Sequence, residues 1–225
     1  MNSSWDRFQD RQDAGRQLLR RLQAHSLQDP LILALPRGGV VVGFEIAVGL
    51  NAELDVLIAR KLGAPGQPEL AIGAVIDGKN PETIFNESLL KALHVPRTYL
   101  EEEIKNQLEE IDRRKEKYRG RHPDPRIADR VVILVDDGIA TGATVKAALA
   151  ALQRRKPARL ILAVPVAPPD TFSALSGEVD EAICLVLPGD FQAVGQFYDD
   201  FHPVGDAEVI QLLEEARRRN QDGGF

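Results

Sequence analysis

Apolar positions along the chain follow two rhythms that take turns. Short runs in which most positions are aliphatic occur at Leu31–Leu35, Leu54–Ala59, Val131–Val135, Arg159–Val166 and Glu181–Leu187. Runs of that kind and length predict strands buried on both faces, as in a parallel sheet. Between them lie stretches with helical signals: Asp6–Leu22, with Phe8, Leu18, Leu19 and Leu22; the segment after Pro36-Arg-Gly-Gly to about Leu50; Thr98–Tyr118; a helix from Ala143; a short one near Pro169–Leu175; and Asp206–Arg219. Leu70–Ile76 and Thr83–Phe85 predict a hairpin around Asp77-Gly-Lys-Asn-Pro, and the Gly- and Pro-rich Leu62–Pro68 reads as a mobile loop. Strands alternating with helices predict an α/β fold, doubly wound, with a mainly parallel sheet and helices on both faces.

The helix over Thr98–Tyr118 is the most charged segment. Thr98 and Glu101 have the spacing of a capping box, and Leu100, Ile104, Leu108 and Ile111 fall on one stripe. Glu101–Lys105, Glu109–Arg113 and Glu110–Arg114 have i,i+4 spacing on the opposite side. The helix is either a cover packed by one face or a dimer element.

The most informative stretch follows the strand Val131–Val135. It reads Asp136-Asp-Gly-Ile-Ala-Thr-Gly-Ala-Thr144 and runs straight into the helix from Ala143. Backbone N–H groups of such a turn and the positive helix end suit a phosphate. Asp136 and Asp137 at a strand tip accept hydrogen bonds from vicinal hydroxyls, or hold a metal through water. Ligands of open α/β sheets bind outside the carboxyl ends of the strands. Strand, acidic pair, turn and helix together make a site for a phosphorylated sugar.

Val135-Asp-Asp-Gly-Ile-Ala-Thr-Gly-Ala-Thr resembles the phosphoribosyl-pyrophosphate (PRPP) loop of type I phosphoribosyltransferases. The resemblance implies that Asp136 and Asp137 bind the ribose hydroxyls and that Gly138, Ile139, Ala140, Thr141, Gly142, Ala143 and Thr144 cradle the 5′-phosphate. Pro36-Arg37-Gly38-Gly39 is similar to the pyrophosphate loop after the first core strand, where the family carries a non-proline cis peptide. Arg37, Gly38 and Gly39 would form this loop, with Arg37 supplying charge. Arg60 and Lys61 close the Leu54–Ala59 strand; they are either the family's cations near a flexible loop that closes over PRPP, or a pair facing solvent.

The fold implied is that of type I phosphoribosyltransferases, with a core over about 30–190, a flexible loop and cover-helix insertion over about 62–122, and a C-terminal hood and helix over 190–225. The activity implied is Mg²⁺-dependent transfer of ribose 5-phosphate from PRPP to a nitrogenous, purine-like or other aromatic acceptor, a pentosyltransferase reaction that releases pyrophosphate. Mg²⁺ would arrive with PRPP, through water to Asp136 and Asp137, without a dedicated protein cage. A regulator that binds PRPP or a nucleotide without turnover is the rival reading. Family members acting on 6-oxopurines carry an aspartate just before Thr-Gly; Ala140 stands there, which is closer to the adenine-type loop. Phe191, Phe197, Tyr198 and Phe201 gather in one loop with Asp199. Phe197, Tyr198 and Asp199 either meet a planar acceptor or anchor the loop to the core.

Composition narrows the classes. With 225 residues, 44% hydrophobic, the chain is long enough for a single α/β domain. A net charge of −6 argues against a nucleic-acid surface and against membrane affinity. Cys184 is the one cysteine, and His25, His94, His122 and His202 show no metal-ligand spacing. No apolar run is long enough to span a membrane, so the expected location is the cytoplasm. A homodimer is the oligomer the family resemblance allows.

Overall fold

Five strands pair in parallel in the order β2-β1-β6-β7-β8: β1 (Leu31–Ala34), β2 (Glu53–Val56), β6 (Val131–Val135), β7 (Arg159–Val166) and β8 (Glu181–Val186). The computed structural model describes residues 7–222. Alternate residues of these strands feed two cores. Ile32, Ala34, Ile133, Val135, Ile161 and Ala163 face α1 (Arg11–Leu22), α2 (Gly38–Leu50) and α7 (Asp206–Asp222). Leu31, Leu33, Val132, Leu134, Leu160 and Leu162 face α5 (Ala143–Arg154) and α6 (Pro169–Ser176). Each such aliphatic side chain contributes roughly 1.5–3 kcal/mol of burial, which is why the strands read as continuous apolar runs. The α/β class and the helices on both faces are as the alternation predicts. Helix α2 is apolar nearly all round because it is covered by the sheet on one side and by α1 and α7 on the other.

The second sheet corrects two readings. Residues 62–68 are not a loop: β3 (Ala59–Ala64) and β4 (Gln67–Ile76) form an antiparallel pair joined at Pro65-Gly66, and β5 (Glu82–Phe85) completes a three-stranded sheet β3-β4-β5. The Gly and Pro residues that suggest a loop instead mark the turn and the register shifts around Gly63. Nor is Leu54–Ala59 one strand. The chain leaves the parallel sheet after Val56; Leu57 N–H still reaches Ala34 O at 3.0 Å, and Ile58 N–H turns to Asp77 Oδ1 at 2.8 Å. Arg60 and Lys61 therefore lie inside β3, not at the end of a parallel strand.

Between the sheets runs α4 (Arg97–Arg119), preceded by the short α3 (Glu87–Leu93), which the apolar pattern does not single out although Asn86 caps it. The expected capping box at Thr98 is absent. Extended Pro96 starts the helix, and Arg97 pairs with Glu101 at 2.8 Å. The stripe Leu100, Ile104, Leu108 and Ile111 packs against the core by one face of α4. Its last residue, Arg119, is 4% exposed and joins the two sheets. Its Nε donates to Asp55 of β2 at 2.9 Å and its Nη2 to Val56 O at 2.9 Å; the guanidinium also meets Asp124 and, at 3.4 Å, Asp77 at the end of β4. Burial pushes the Asp77 carboxyl up to about 6, against the pull of Arg119.

The helix expected from Asp6 begins at Arg11, capped by Asp10, and Asp6 lies outside the described residues. Among the described residues no helix is long and apolar enough to cross a membrane.

Candidate active site

The C-terminal ends of β1 and β6 bring the two motifs together. Leu35 N–H donates to Val135 O at 2.9 Å, extending the β1–β6 ladder by one residue to the point where both loops depart. The Pro36–Arg37 peptide is cis. Across the gap, a methyl group at Gly38 would lie 1.9 Å from Asp137 Oδ2, so the loop after β1 approaches the acidic pair as closely as a side-chain-free residue allows. Gly39 is also tight: a methyl group there would lie 2.9 Å from Val135 O.

Asp136 and Asp137 are half-buried side by side, and Asp136 Oδ1 accepts from Asp137 N–H at 2.8 Å. Burial, followed by the neighbouring Asp137 charge, holds the Asp136 carboxyl well above the usual carboxylate range. Beyond the pair the chain turns through buried Gly138 and Ile139, whose N–H donates to Val166 O at 2.9 Å, to exposed Ala140 and Thr141. Gly142, at φ 74°, occupies the left-handed region and starts α5. No side chain caps α5, so the first-turn N–H groups around Ala143 and Thr144 point at the turn with their dipole uncompensated by a cap. The arrangement offers acceptors for hydroxyls beside donors for an anion.

The chain matches the phosphoribosyl transferase domain family over residues 4–202. This chain belongs to the phosphoribosyl transferase family. It is 43% identical over 218 residues to proteins of two Mycobacterium tuberculosis strains, CDC 1551 / Oshkosh and H37Rv, each named provisionally as a phosphoribosyl transferase. The alignment covers 96% of this chain and 48% of those proteins, so the chain spans about half the length of the curated relatives it matches. The crystal structure of TT1426 from Thermus thermophilus is 43% identical, covers 93% of this chain and 98% of that one, and superposes with a TM-score of 0.82.

The remaining candidate residues divide into three groups. Gly38 and Gly39 sit against the acidic pair as described. Arg37 itself is exposed, with its guanidinium 3.9 Å from Asp206 at the start of α7. Arg60 and Lys61 are drawn elsewhere. Arg60 Nε donates to Gln107 of α4 at 2.9 Å, and Lys61 pairs with Glu69 across the β3–β4 hairpin at 3.1 Å. Neither lines the cavity at Arg37.

Phe197 and Tyr198 do not present stacking faces. They are 7% and 3% exposed and form a small core with Phe8, Phe191 and Phe201. The expected acceptor role of these two rings is corrected to an anchoring one, because their faces are turned onto one another. Asp199 remains exposed, 3.8 Å from Arg7. The anchor nevertheless serves the site: the Tyr198 hydroxyl donates to Asp137 O at 2.6 Å.

One residue at the site escapes the sequence reading. Arg11 of α1 is 7% exposed, and its Nε donates to Asp137 Oδ2 at 2.7 Å. Its Nη1 donates to His202 O at 2.8 Å, and the guanidinium lies 3.8 Å over the Phe201 ring. Nothing in the pattern of α1 separates Arg11 from Arg16, Arg20 or Arg21, so no sequence signal marks it. Cys184 is half-buried in β8, with its thiol pushed up to about 12 by burial. Among the described residues no group of three or more His, Cys, Asp or Glu side chains is placed to hold a metal ion.

Proposed function

We propose that this chain transfers ribose 5-phosphate from PRPP to a nitrogenous aromatic acceptor and releases pyrophosphate. The observation that carries the reading is one juxtaposition: the acidic pair at the tip of β6, the uncapped start of α5 directly after it, and Gly38 pressed against Asp137 from the loop after β1.

Each part has a task that its chemistry suits. The N–H groups of the turn over Gly138, Ile139, Ala140, Thr141, Gly142, Ala143 and Thr144 bind the 5′-phosphate at the positive end of α5. Asp136 and Asp137 accept from the ribose hydroxyls and fix the ring, and Arg11 and Tyr198 fix Asp137. The loop Arg37, Gly38 and Gly39 holds the pyrophosphate on the opposite side. Cleavage leaves positive charge on the anomeric carbon, so the protein's work is to position the acceptor nitrogen and hold the leaving group, with little covalent chemistry of its own.

The donor set fits Mg²⁺ carried by the substrate. Two adjacent half-buried carboxylates give oxygen ligands, and an ion that keeps most of its waters and its phosphate contacts needs no more from the protein. Bound beside Asp136 and Asp137, Mg²⁺ would neutralise charge on the departing pyrophosphate.

The test is pyrophosphate release from PRPP and Mg²⁺ against purines, pyrimidines and small heterocyclic amines, with Asp136→Asn/Asp137→Asn as the control. Release that depends on one acceptor and vanishes in the control is the expected result. PRPP binding without release for any acceptor would replace the transferase reading with a non-catalytic sensor of PRPP.

A further inference from the structure

Beside the loop after β1 lies a cavity of about 430 Å³ lined by Pro36, Arg37, Arg113, Arg114, Lys117, Tyr118 and Asp206. Three of its four cations come from the last turns of α4, a segment whose charges the spacing along the chain assigns to ordinary helix-surface pairing. The fold keeps the Glu110–Arg114 pair, but Glu109 turns to Lys105 and Arg113 goes to Glu110 instead. Glu110 serves both Arg113, at 2.7 Å, and Arg114, at 2.6 Å, which pulls its carboxyl down to about 2. Asp206 serves Lys117 at 2.5 Å and the Tyr118 hydroxyl, and lies 3.9 Å from Arg37. Two carboxylates, Glu110 and Asp206, thus face four cations, Arg37, Arg113, Arg114 and Lys117, and an excess of two positive charges borders one cavity.

Like charges gathered at one concave, polar surface repel each other and focus a positive potential into it. Fork-shaped guanidinium donors suit phosphate oxygens in pairs. The cavity is not an isolated patch, because Arg37 and Pro36 belong both to it and to the turn that leads to Gly38 and Asp137. Arg60 and Lys61, the cations that the family resemblance offers for this task, are held by Gln107 and Glu69 away from this cavity.

We infer that Arg113, Arg114 and Lys117 of α4 extend the pyrophosphate site and bind the distal phosphoryl group of the donor's pyrophosphate arm. The inference rests on the phosphoribosyl transfer reading and adds to it the cover helix as a supplier of substrate contacts. A dianionic phosphoryl group entering the cavity matches the excess of two charges and competes with Glu110 and Asp206 for their partners. The same contacts hold the group after bond cleavage, so they act on the leaving group and leave the ribose end untouched.

Calorimetric titration of the whole chain with pyrophosphate plus Mg²⁺, and separately with ribose 5-phosphate, tests this. In Arg113→Gln/Arg114→Gln and in Lys117→Gln, pyrophosphate affinity should fall about tenfold or more, while ribose 5-phosphate affinity stays within about twofold of wild type. Lys105→Gln, on the same helix but paired with Glu109 outside the cavity, should change neither. Unchanged pyrophosphate affinity in the α4 variants, with ribose 5-phosphate still bound, would overturn the inference and leave the transferase reading standing. Pyrophosphate binding that does not compete with PRPP would also overturn it, because the anion would then be separate from the donor. A wild-type chain that binds neither probe would remove both readings.

Discussion

Two clusters of buried acid and arginine sit in this molecule, and they are built to opposite ends. At the junction of the sheets, Arg119 gathers Asp55, Asp77 and Asp124, and two of those carboxylates also accept a backbone N–H, from Val56 at 2.7 Å and from Ile58 at 2.8 Å. Every group there has its partners inside the protein. At the strand tips, Asp137 is the one carboxylate that Arg11 pairs with, and Asp136 beside it accepts one backbone N–H next to a neighbouring negative charge. The first cluster is fully paired and holds two sheets together, although Asp77, Arg119 and Asp124 border a cavity. The second is left short of donors at a half-buried strand tip, the state expected of groups that wait for a ligand. Buried charge alone therefore does not mark a functional site, and neither does a neighbouring cavity; incomplete pairing does.

Substitutions can break this contrast. The largest effect belongs to Arg119→Met, which leaves Asp55 and Asp77 buried without their cation and should cost about 4 kcal/mol of stability by denaturant titration. Ligand binding by the folded fraction should persist. A loss under about 1 kcal/mol would mean that the cluster is solvated and holds nothing.

Next comes a pH dependence. The folded-state value of Asp77, about 6, lies above its ordinary 3.8, so the folded protein holds this proton more tightly than the unfolded chain. Its contribution is fully favourable below about pH 4 and is lost as pH rises towards 6, a change of about 3 kcal/mol. Wild type should therefore lose about that much stability relative to Asp77→Asn between about pH 3 and 7, as read from melts in matched buffers. A difference that stays flat, or moves in favour of wild type, would place Asp77 in a polar environment.

Arg11→Met should have a smaller effect on stability, about 2 kcal/mol, because Asp137 retains access to water. It should also weaken PRPP binding, since Asp137 loses the group that orients it. An Arg11→Met variant with wild-type affinity would make Arg11 a packing residue only.

The legible parts of the fold are those where one residue type answers one physical demand. Val131–Val135 followed by two acids and a glycine turn carries strand, turn and helix start, and the structure has each of these elements in its place. The β3–β4 hairpin reads as a loop because Gly63, Pro65, Gly66 and Pro68 serve a tight turn and a bulge as well as they would serve a loop. Arg60 and Lys61 follow that reading to the wrong neighbours. The neighbours that the fold gives Arg11, Arg113, Arg114 and Lys117 are invisible for another reason. The fold alone brings them opposite, from α1 to Asp137 and from α4 to Arg37, and spacing along a helix carries no such information. The aromatic loop shows the converse: four rings close in sequence suggest a platform, and packing turns them onto each other.

The most direct test of the contrast is a single variant measured two ways. Asp136→Asn keeps an oxygen for the Asp137 N–H, keeps the Arg11–Asp137 pair and removes a carboxylate that burial and Asp137 both oppose. Its PRPP affinity in the presence of Mg²⁺ should fall at least about tenfold, while its melting temperature stays equal to or above that of wild type. Wild-type affinity, or a melting temperature that drops along with the affinity, would contradict the account and make Asp136 a structural group like those around Arg119.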